Sequence, residues 1–364
     1  MQGQLVAMNG VRNIQIREYP VMDPGEGQVV MGVTMANICG SDIHMWEGKH
    51  IFRDHVMGHE MAGVIARLGK GVTTDYAGQK VAEGDRIVPV YYLTCQRCEA
   101  CTNGLFNICT HGSDFMGARA DASPHFTGGF ATHYFIQPNQ YFYRIPDNVS
   151  DQAAAGANCG FTQMLYAIDQ LGPLQSRGVA VLGAGGLGLY STAIASAMGA
   201  RVVVVDSVAS RLSEALAFGA EATLNMQDVP DHNDRAVRIK ELLGAAPDVV
   251  IDVTGAPAVL DQAIRLCRIG GQILEVGAVS VDESQSVTTL PGLITRKCLT
   301  IRGVLRYQPW YLERGLRFLS RFGDRFPFDQ LTDRFYPLDE TQLALQKAAN
   351  KEVARAIIRP NGRG

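Results

Sequence analysis

A glycine-rich turn between an apolar strand and a helix constrains the fold of this chain more than any other feature. The apolar run VAVLG at 179–183 enters the sequence GAGGLG, and a helical pattern follows to about Met198. In such a turn the first glycine permits a tight bend, the second lets the backbone approach a pyrophosphate, and the third lets helix pack on strand. The phosphates then lie against the positive end of the helix. The spacing predicts a dinucleotide-binding turn formed by Gly183, Gly185, Gly186, Leu187 and Gly188.

A carboxylate at the end of the next strand indicates which dinucleotide is bound. The strand RVVVVD at 201–206 ends in Asp206, 18 residues after Gly188 and near the spacing of about 20 expected for a ribose-binding acid. A carboxylate there accepts hydrogen bonds from ribose hydroxyls and repels the extra phosphate of NADP, so NAD is the predicted cofactor. Asp206 can also cap the following helix. Arg211, five positions on, is either beside the adenine or a solvated helix charge.

From about residue 160 the sequence alternates between apolar strands and helical patterns. RVVVVD is followed by the helical pattern SRLSEALAFGA, and ATLN by a polar helix around DRAVRIKELLG. PDVVIDV, AVLDQAIRLCRIG and GQILEVG continue the alternation. Strands and helices that alternate at this length predict the α/β class, with a doubly wound parallel sheet covered by helices on both faces.

The first 150 residues have a different pattern. Short apolar runs such as GQVVMGVTMA, MAGVIARLG and FATHYFI are separated by glycine and turn residues, which predicts a small, irregular β-domain with long loops. After about residue 304 the strand–helix alternation gives way to aromatic and arginine-rich stretches and one late strand, ARAIIRP. The length agrees with two domains, because 364 residues exceed what one hydrophobic core usually serves.

Charge and hydropathy argue against several classes of partner. The chain has 33 Lys and Arg against 36 Asp and Glu, a formal net charge of -3, so it lacks the basic footprint of a nucleic-acid-binding protein. No apolar stretch approaches the roughly 20 residues of a membrane-spanning helix. The N-terminal MQGQLVAMNG lacks the basic start and apolar run of a signal peptide. We therefore expect no nucleic-acid or membrane partner and a cytoplasmic location.

Four of the eight cysteines lie in one short segment, at positions 95, 98, 101 and 109. In a chain of this size without a secretory signal, such clustering favours metal binding over disulfides. Four thiolates on one loop, Cys95, Cys98, Cys101 and Cys109, suit a closed tetrahedral zinc site. An iron–sulfur cluster usually has a last spacing of three with a following proline, whereas here the spacing is seven and Thr110 follows. The charge balance opposes a zinc ribbon for nucleic acid.

A second metal site is indicated by CGSDIH at 39–44 and GHE at 58–60, which together supply a thiol, imidazoles and carboxylates. A catalytic zinc takes three protein ligands and keeps one position open. Cys39 and His59 are natural ligands, and Cys159, in ANCGFT just before the dinucleotide domain, is the candidate third, which would meet them in a cleft between domains. Each of these residues alone would more often serve in packing. Their combination with a dinucleotide site favours the functional interpretation.

Together these motifs resemble the medium-chain zinc-dependent alcohol dehydrogenase family, which includes sorbitol, threonine and butanediol dehydrogenases. CGSDIH, GHE, the four-cysteine segment, ANCGFT and GAGGLG with VVVVD occur in the family's order over nearly the whole chain. The resemblance implies a GroES-like catalytic domain of residues 1–160 and 304–364, with a structural-zinc lobe at about 95–109. It implies a Rossmann NAD-binding domain of residues 161–303. It also implies two zinc ions per chain and a homodimer or homotetramer.

The resemblance assigns roles around the catalytic metal. Cys39, His59 and Cys159 would hold the zinc, and water or the substrate oxygen would complete its shell. Glu60 would lie behind the metal as an occasional ligand or an outer group. Asp42 would hydrogen-bond His59 and orient its ring.

Further roles concern proton and hydride transfer. Ser41 and His44 match a relay that carries the alcohol proton to the surface, and Val276 matches the region that approaches the nicotinamide. Zinc lowers the pKa of an alcohol, after which hydride can pass to the cofactor. Gly40 stands where liver-type enzymes have a basic residue on the pyrophosphate, so we expect cofactor release to be controlled differently.

The substrate is predicted from apolar and aromatic residues near the motifs, whose number favours a bulky, largely apolar secondary alcohol or ketone. They are Trp46, Phe52, His55, Tyr92, Leu93, Phe115, Met116, Tyr307 and Trp310. One alternative is a polyol or amino-alcohol dehydrogenase of the same family, although several polyol relatives have glutamate as third ligand. A second alternative is a zinc-independent quinone or enoyl reductase. The four-cysteine lobe argues against it, because such enzymes usually lack that lobe. A non-enzymatic NAD-binding relative is the remaining alternative.

Overall fold

Both ends of the chain belong to one structural unit, and a second unit is built from the middle of the sequence. A computed structural model describes residues 1–50, 52–277, 283–332, 334–353 and 355–362. The first unit comprises Met1–Thr162, Gln308–Asp324 and Phe328–Gly364, and the second comprises Gln163–Tyr307 and Arg325–Pro327. The second unit therefore starts at 163 where the sequence predicted 161, and its main segment ends at 307 where the sequence predicted 303.

The N-terminal part of the first unit is built from short strands and helices. Its strands are β1 (Gln2–Met8), β2 (Ile14–Pro20), β3 (Val29–Asn37), β4 (Glu60–Leu68), β5 (Arg86–Pro89), β6 (His133–Ile136) and β7 (Phe142–Arg144). Its helices are α1 (Gly40–Trp46), α2 (Glu99–Thr102) and α3 (Asp151–Gly156), and α3 continues into a π-helical turn, Ala157–Phe161. The sequence analysis did not predict strand β1. Its last four residues are all buried, so the strand lacks the alternation of apolar and polar residues by which a half-buried strand is recognised.

The chain enters the second unit along α4 (Thr162–Asp169). The strands that follow are β8 (Gly178–Leu182), β9 (Arg201–Asp206), β10 (Ala222–Asn225), β11 (Val249–Asp252), β12 (Gln272–Glu275) and β13 (Thr300–Gly303). The helices are α5 (Gly186–Ala197), α6 (Ala209–Ala217), α7 (His232–Leu243), α8 (Ala258–Leu266) and α9 (Pro291–Lys297).

The strands of the second unit form one parallel sheet in the order β10–β9–β8–β11–β12–β13. In chain order this is 3-2-1-4-5-6, the doubly wound arrangement, which confirms the predicted α/β class. The central strands are apolar along their length, and Val179–Val181 and Val249–Ile251 are fully buried. Helices on both faces explain this, because a strand covered on two sides has no face for polar residues. The strand order reverses between β8 and β11, where such sheets bind ligands.

The last part of the chain returns to the first unit as α10 (Tyr311–Phe322), β14 (Arg334–Pro337), α11 (Thr341–Ala349) and β15 (Ala356–Arg359). Strand β15 pairs antiparallel with β3, with Ile357 opposite Asn37 and Ile358 opposite Ala36. The sheet order is β14–β15–β3–β4–β5–β7, with β6 also paired to β3. The C-terminal residues thus complete a sheet begun near the N-terminus. Among the described residues, no helix is both long and apolar enough to cross a membrane.

Candidate active site

Four side chains able to bind a metal converge from separate parts of the first unit. One donor atom from each of Cys39, His59, Glu60 and Cys159 lies within 4.8 Å of the other three. Cys39 precedes α1, His59 precedes β4, and Cys159 lies in the π-helical turn. The Cys159 sulfur is 3.5 Å from Nε2 of His59. Two thiols, an imidazole and a carboxylate are a donor set that suits zinc.

A buried amide ties the segments of Cys159 and His59 together. Asn158, which is fully buried, donates from Nδ2 to the His59 carbonyl at 2.8 Å and to the Pro89 carbonyl at 3.2 Å. The π-helical turn around it departs from regular helix, as is frequent at functional sites. Sequence reasoning missed Asn158, although its position beside the predicted ligand Cys159 was a signal.

Asp42 orients two of the four side chains at once. Its Oδ2 accepts a hydrogen bond from the backbone N–H of Cys39 at 2.8 Å, and its Oδ1 lies 3.3 Å from Nδ1 of His59. Asp42 is fully buried, so its charge acts in a poorly solvated environment. Because Nδ1 of His59 faces this carboxylate, Nε2 is the ring nitrogen positioned for a metal.

The buried thiols and imidazole perturb one another strongly. A hydrogen bond from Cys159 holds the pKa of Cys39 well below its usual range, against the effect of burial, and the same bond and burial raise the pKa of Cys159. Burial alone would lower the pKa of His59, but Asp42 and Cys39 together raise it well above its usual value. The cluster therefore favours a thiolate on Cys39, the form of cysteine that binds metals.

Glu60 is a buried carboxylate with a cationic partner. Its side chain is 1% exposed and forms an ion pair with Arg355, which immediately precedes β15. Burial raises the pKa of Glu60 to about 7, while the charge of Arg355 opposes the increase. Sequence reasoning missed Arg355, because 295 positions separate the two residues.

The predicted relay residues lie on one helix. Ser41 and His44 are exposed and three positions apart on α1, so their side chains emerge on the same face. The Ser41 hydroxyl is near the Cys39 thiol and contributes to the low pKa of that thiol. The relay itself stays a prediction.

An aromatic ring that the sequence analysis did not name lies beside His59. The ring centroid of Tyr91 is 5.1 Å from that of His59. The neighbouring Tyr92, which was named, is 1% exposed. Both tyrosines lie in a bend just after β5, where strand alternation does not apply, so the sequence carried no signal that selected Tyr91.

Three of the other aromatic candidates have packing roles in the described structure. Trp46 belongs to the core of the first unit, and Tyr307 is fully buried. Trp310 packs edge-on against Phe106 at 5.8 Å between ring centroids.

The cysteines of the predicted lobe form a compact group of four sulfurs. Sulfur–sulfur distances are 4.0 Å for Cys95 and Cys101 and 3.9 Å for Cys98 and Cys109. A tetrahedral zinc with Zn–S of about 2.3 Å spaces its sulfurs by about 3.8 Å, whereas a disulfide needs about 2.05 Å. All eight cysteines are free. The sulfur spacing therefore fits a four-cysteine zinc site. Backbone N–H groups lower the pKa of Cys98 to about 5, whereas burial raises the pKa of Cys101 to about 12.

The glycine-rich turn of the second unit has the geometry that its three roles require. Gly183 has a φ of +103°, which residues with a side chain rarely adopt. A Cβ on Gly188 would lie 1.9 Å from the Gly183 carbonyl oxygen, so helix and strand need glycine there. A Cβ on Gly185 would meet no described atom within 4 Å, which leaves its backbone open to a ligand. Gly186, Leu187 and Gly188 form the first turn of α5, whose N–H groups are free for an anion.

Asp206 lies at the end of β9, next to this turn. Its Oδ2 accepts a hydrogen bond from the Ala184 N–H at 2.7 Å, and its Oδ1 accepts one from the Val208 N–H at 2.9 Å. Asp206 thus supports the turn, and each oxygen retains a further lone pair for a hydroxyl group. Arg211 lies on α6, partly exposed, and Val276 follows β12 with 4% exposure.

A cleft at the carboxyl ends of β8, β9 and β11 adjoins the turn. Its lining includes Leu182, Gly183, Val205, Thr254 and Gln262. These positions border the point where the strand order reverses, so the cleft lies where doubly wound sheets bind nucleotides.

Fold and site together define a two-unit zinc dehydrogenase. The family profile for the alcohol dehydrogenase GroES-like domain matches residues 25–147, and that for the zinc-binding dehydrogenase matches residues 186–321. Sorbitol dehydrogenase of Bacillus subtilis is 30% identical over 97% of this chain and 96% of its own length. The chain belongs to the zinc-dependent medium-chain alcohol dehydrogenase family, whose members are oxidoreductases acting on CH–OH groups.

Other relatives extend the comparison. 5-exo-Hydroxycamphor dehydrogenase of Pseudomonas putida is 29% identical over 95% of this chain and 94% of its own length. An alcohol dehydrogenase of Thermotoga maritima superposes with a TM-score of 0.92 at 23% identity, over 99% of this chain and all of that chain. A zinc-binding dehydrogenase of Sinorhizobium meliloti, solved with NADP, superposes with a TM-score of 0.85 at 24% identity, over 99% of this chain and all of that one. These two superpositions establish the shared fold.

Proposed function

We propose that this protein is an NAD-dependent alcohol dehydrogenase that interconverts a bulky, largely apolar secondary alcohol and its ketone. Cys39, His59 and Cys159 would hold a catalytic zinc, and the four-cysteine lobe would hold a second zinc. The observation that carries the proposal is the convergence of these three side chains, together with Glu60, within 4.8 Å.

The residues around the ligands prepare the site. When bound there, zinc supplies Lewis acidity toward an alcohol oxygen, and NAD accepts the hydride. Asp42 holds Nδ1 of His59 and the backbone of Cys39, so two ligands keep a fixed geometry. Tyr91, packed against the His59 ring, shields this side from water.

A proton must leave as the alcohol is oxidised. Ser41 is a hydroxyl next to the Cys39 sulfur, and His44 follows on the same exposed face of α1. In the proposed relay the Ser41 hydroxyl would accept the proton, and His44, on the exposed face of α1, would release it to solvent.

The choice of NAD rests on Asp206, supported by the predicted places of Arg211 and Val276. Its carboxylate adjoins the glycine turn and keeps lone pairs for ribose hydroxyls, and its charge disfavours a 2′-phosphate. The Sinorhizobium structure contains NADP, so the fold by itself does not select NAD, and local residues must determine the choice.

The substrate class rests on the aromatic surroundings and on one relative. Tyr91 presents a ring beside the ligand His59, and the Pseudomonas relative is named for a hydroxylated bicyclic ketone, a bulky secondary alcohol. The sorbitol dehydrogenase relative favours the alternative of a polyol substrate. The two hypotheses differ in polarity, because a polyol needs several hydrogen-bonding partners in its site and an apolar alcohol does not.

The proposal also covers the oligomeric state and the cellular compartment of the protein. We place the chain in a homodimer or homotetramer, as the family resemblance implies. Its eight free cysteines support a reducing compartment such as the cytoplasm.

The direct experiment is a screen of bulky secondary alcohols and polyols with NAD and with NADP, following absorbance of the reduced nucleotide. Metal analysis of the same preparation should give two zinc ions per chain, and light scattering gives the oligomeric state. Turnover of polyols alone would favour the alternative. A protein that holds two zinc ions and turns over no alcohol would contradict the proposal.

A further inference from the structure

Asn37 is a buried amide for which the described residues provide no hydrogen-bond partner. It ends β3, two positions before Cys39, with 0% exposure, and neither its Oδ1 nor its Nδ2 is hydrogen-bonded. Leaving such a group unpaired in the interior is unfavourable, and buried amides are paired in nearly all proteins. We therefore expect that a neighbouring side chain can adopt a second conformation in which it hydrogen-bonds Asn37.

The strand register identifies that neighbour. Asn37 lies directly opposite Glu60 of β4 on one side and Ile357 of β15 on the other. Residues directly opposite one another project from the same face of a sheet, with Cβ atoms about 4.5–5.5 Å apart. Ile357 is apolar, so of the two residues opposite Asn37 only Glu60 can form a hydrogen bond with the Asn37 amide. Arg355, two positions before Ile357, is the cation that shares the face with Glu60.

The Glu60 carboxylate has several possible partners, namely Arg355, a metal at the cluster and the Asn37 amide. Its Oε2 is bound by Arg355, and one of its oxygens lies within 4.8 Å of the donor atoms of Cys39, His59 and Cys159. A carboxylate that turns toward this cluster takes a metal's fourth position and leaves Asn37 unpaired. A Glu60 carboxylate that turns toward Asn37 instead can accept a hydrogen bond from Nδ2 of Asn37 and keep its ion pair with Arg355.

We propose that Asn37 is a positioning residue that holds Glu60 away from the catalytic zinc and so keeps the fourth metal position open for the substrate oxygen. This inference rests on the proposed zinc site of Cys39, His59 and Cys159. Withdrawal of Glu60 pairs the buried amide, and approach of Glu60 to the metal leaves it unpaired. The hydrogen bond therefore opposes closure of the site by the protein's own carboxylate.

The test uses the full-length protein with Co²⁺ in place of zinc and imidazole as the probe of the open position. Asn37→Leu preserves approximate volume and removes the amide. The imidazole concentration that half-converts the visible Co²⁺ spectrum should rise about tenfold, because a hydrogen bond to a charged group is lost. KM for the alcohol should rise similarly, with a smaller change in kcat. The melting temperature should change little, because leucine fills a similar volume and leaves no buried amide to be satisfied.

Two comparisons separate this effect from general damage. Ala36→Gly changes the adjacent residue of β3, whose side chain projects from the other face, and should leave the imidazole titration unchanged. In a Glu60→Ala background, Asn37→Leu should have no further effect on the titration. If the leucine variant is insoluble, Asn37→Ala replaces it with the same expectations.

The outcomes distinguish this inference from the proposed function. An Asn37→Leu titration that coincides with the parent's, or an effect that persists without Glu60, overturns the role of Asn37. A parent protein that binds only one Co²⁺ ion, held by Cys95, Cys98, Cys101 and Cys109, overturns the proposed catalytic zinc site itself.

Discussion

The carboxylate of Asp42 lies 3.3 Å from Nδ1 of His59, with its other oxygen on the backbone N–H of Cys39. One buried residue therefore sets the ring orientation of one proposed ligand and the backbone position of another. We therefore expect the metal affinity of the proposed site to depend on Asp42, which is not itself a proposed ligand.

Asp42→Asn should weaken catalytic zinc binding by about 10- to 100-fold, the usual cost of losing such a partner. An amide that donates to Nδ1 moves the ring proton to Nε2, the atom that faces Cys159. Zinc content after dialysis against graded chelator measures the effect, with the lobe zinc as internal reference. Equal zinc retention in variant and parent would contradict the assignment.

Cys159→Ala should reduce the zinc count from two to one per chain, because the catalytic site loses a ligand while the lobe keeps four. Cys267→Ala is the matched control, since Cys267 is also buried but its sulfur faces backbone carbonyls of the second unit. The control should retain two zinc ions and activity. A Cys159 variant that keeps both ions would show that the third ligand lies elsewhere.

Asp206→Ala should lower the ratio of NAD to NADP catalytic efficiency by about tenfold or more, because the ribose loses an acceptor and the 2′-phosphate is no longer repelled. Steady-state kinetics with both nucleotides gives the ratio. Glu214→Ala, an exposed change on α6, is the control for a general loss of negative charge. An unchanged ratio would remove Asp206 from cofactor selection.

His44→Gln should slow alcohol oxidation chiefly at low pH, where hydroxide is too scarce to take up the relayed proton and a built-in base matters most. The profile of kcat/KM against pH is the measurement. A profile that is lowered equally at every pH, or not at all, argues against a relay through His44.

His55→Phe should make stability less dependent on pH. His55 is 1% exposed, and burial lowers its pKa to about 4. The unfolded chain, with a histidine pKa near 6.5, binds this proton first, so parental stability is complete above about pH 6.5 and is lost as the pH falls toward 4. The shift corresponds to about 3 kcal/mol. Urea unfolding at pH 7 and pH 4.5 should show a smaller loss in the variant than in the parent.

Exposed His111 provides the reference for that experiment. His111→Gln should retain the parental loss of stability, because the side chain of His111 is 52% exposed. A His55 variant that loses as much stability as the parent would show that other groups, such as the metal ligands, account for the whole effect.

The geometry of much of the candidate site could be predicted because it is local in sequence, while the roles of its residues stay predictions. The glycine turn, Asp206 and the four lobe cysteines each act within a few residues or across one strand–helix–strand unit, where backbone geometry follows from residue type and spacing. The doubly wound sheet could be predicted for the same reason, since the hydrophobic periodicity of each segment identifies it as a strand or a helix.

Other features depend on contacts between distant segments. The sequence by itself determined the chemistry available: thiols, imidazoles and a carboxylate in recognisable motifs, and a turn shaped for a pyrophosphate. Only the tertiary structure decided that Arg355 pairs with Glu60, that Tyr91 contacts His59, and that Asn37 lies opposite Glu60. Residue spacing constrains neighbours along the chain, whereas these pairings follow from strand register and from the packing of a sheet that both ends of the chain complete.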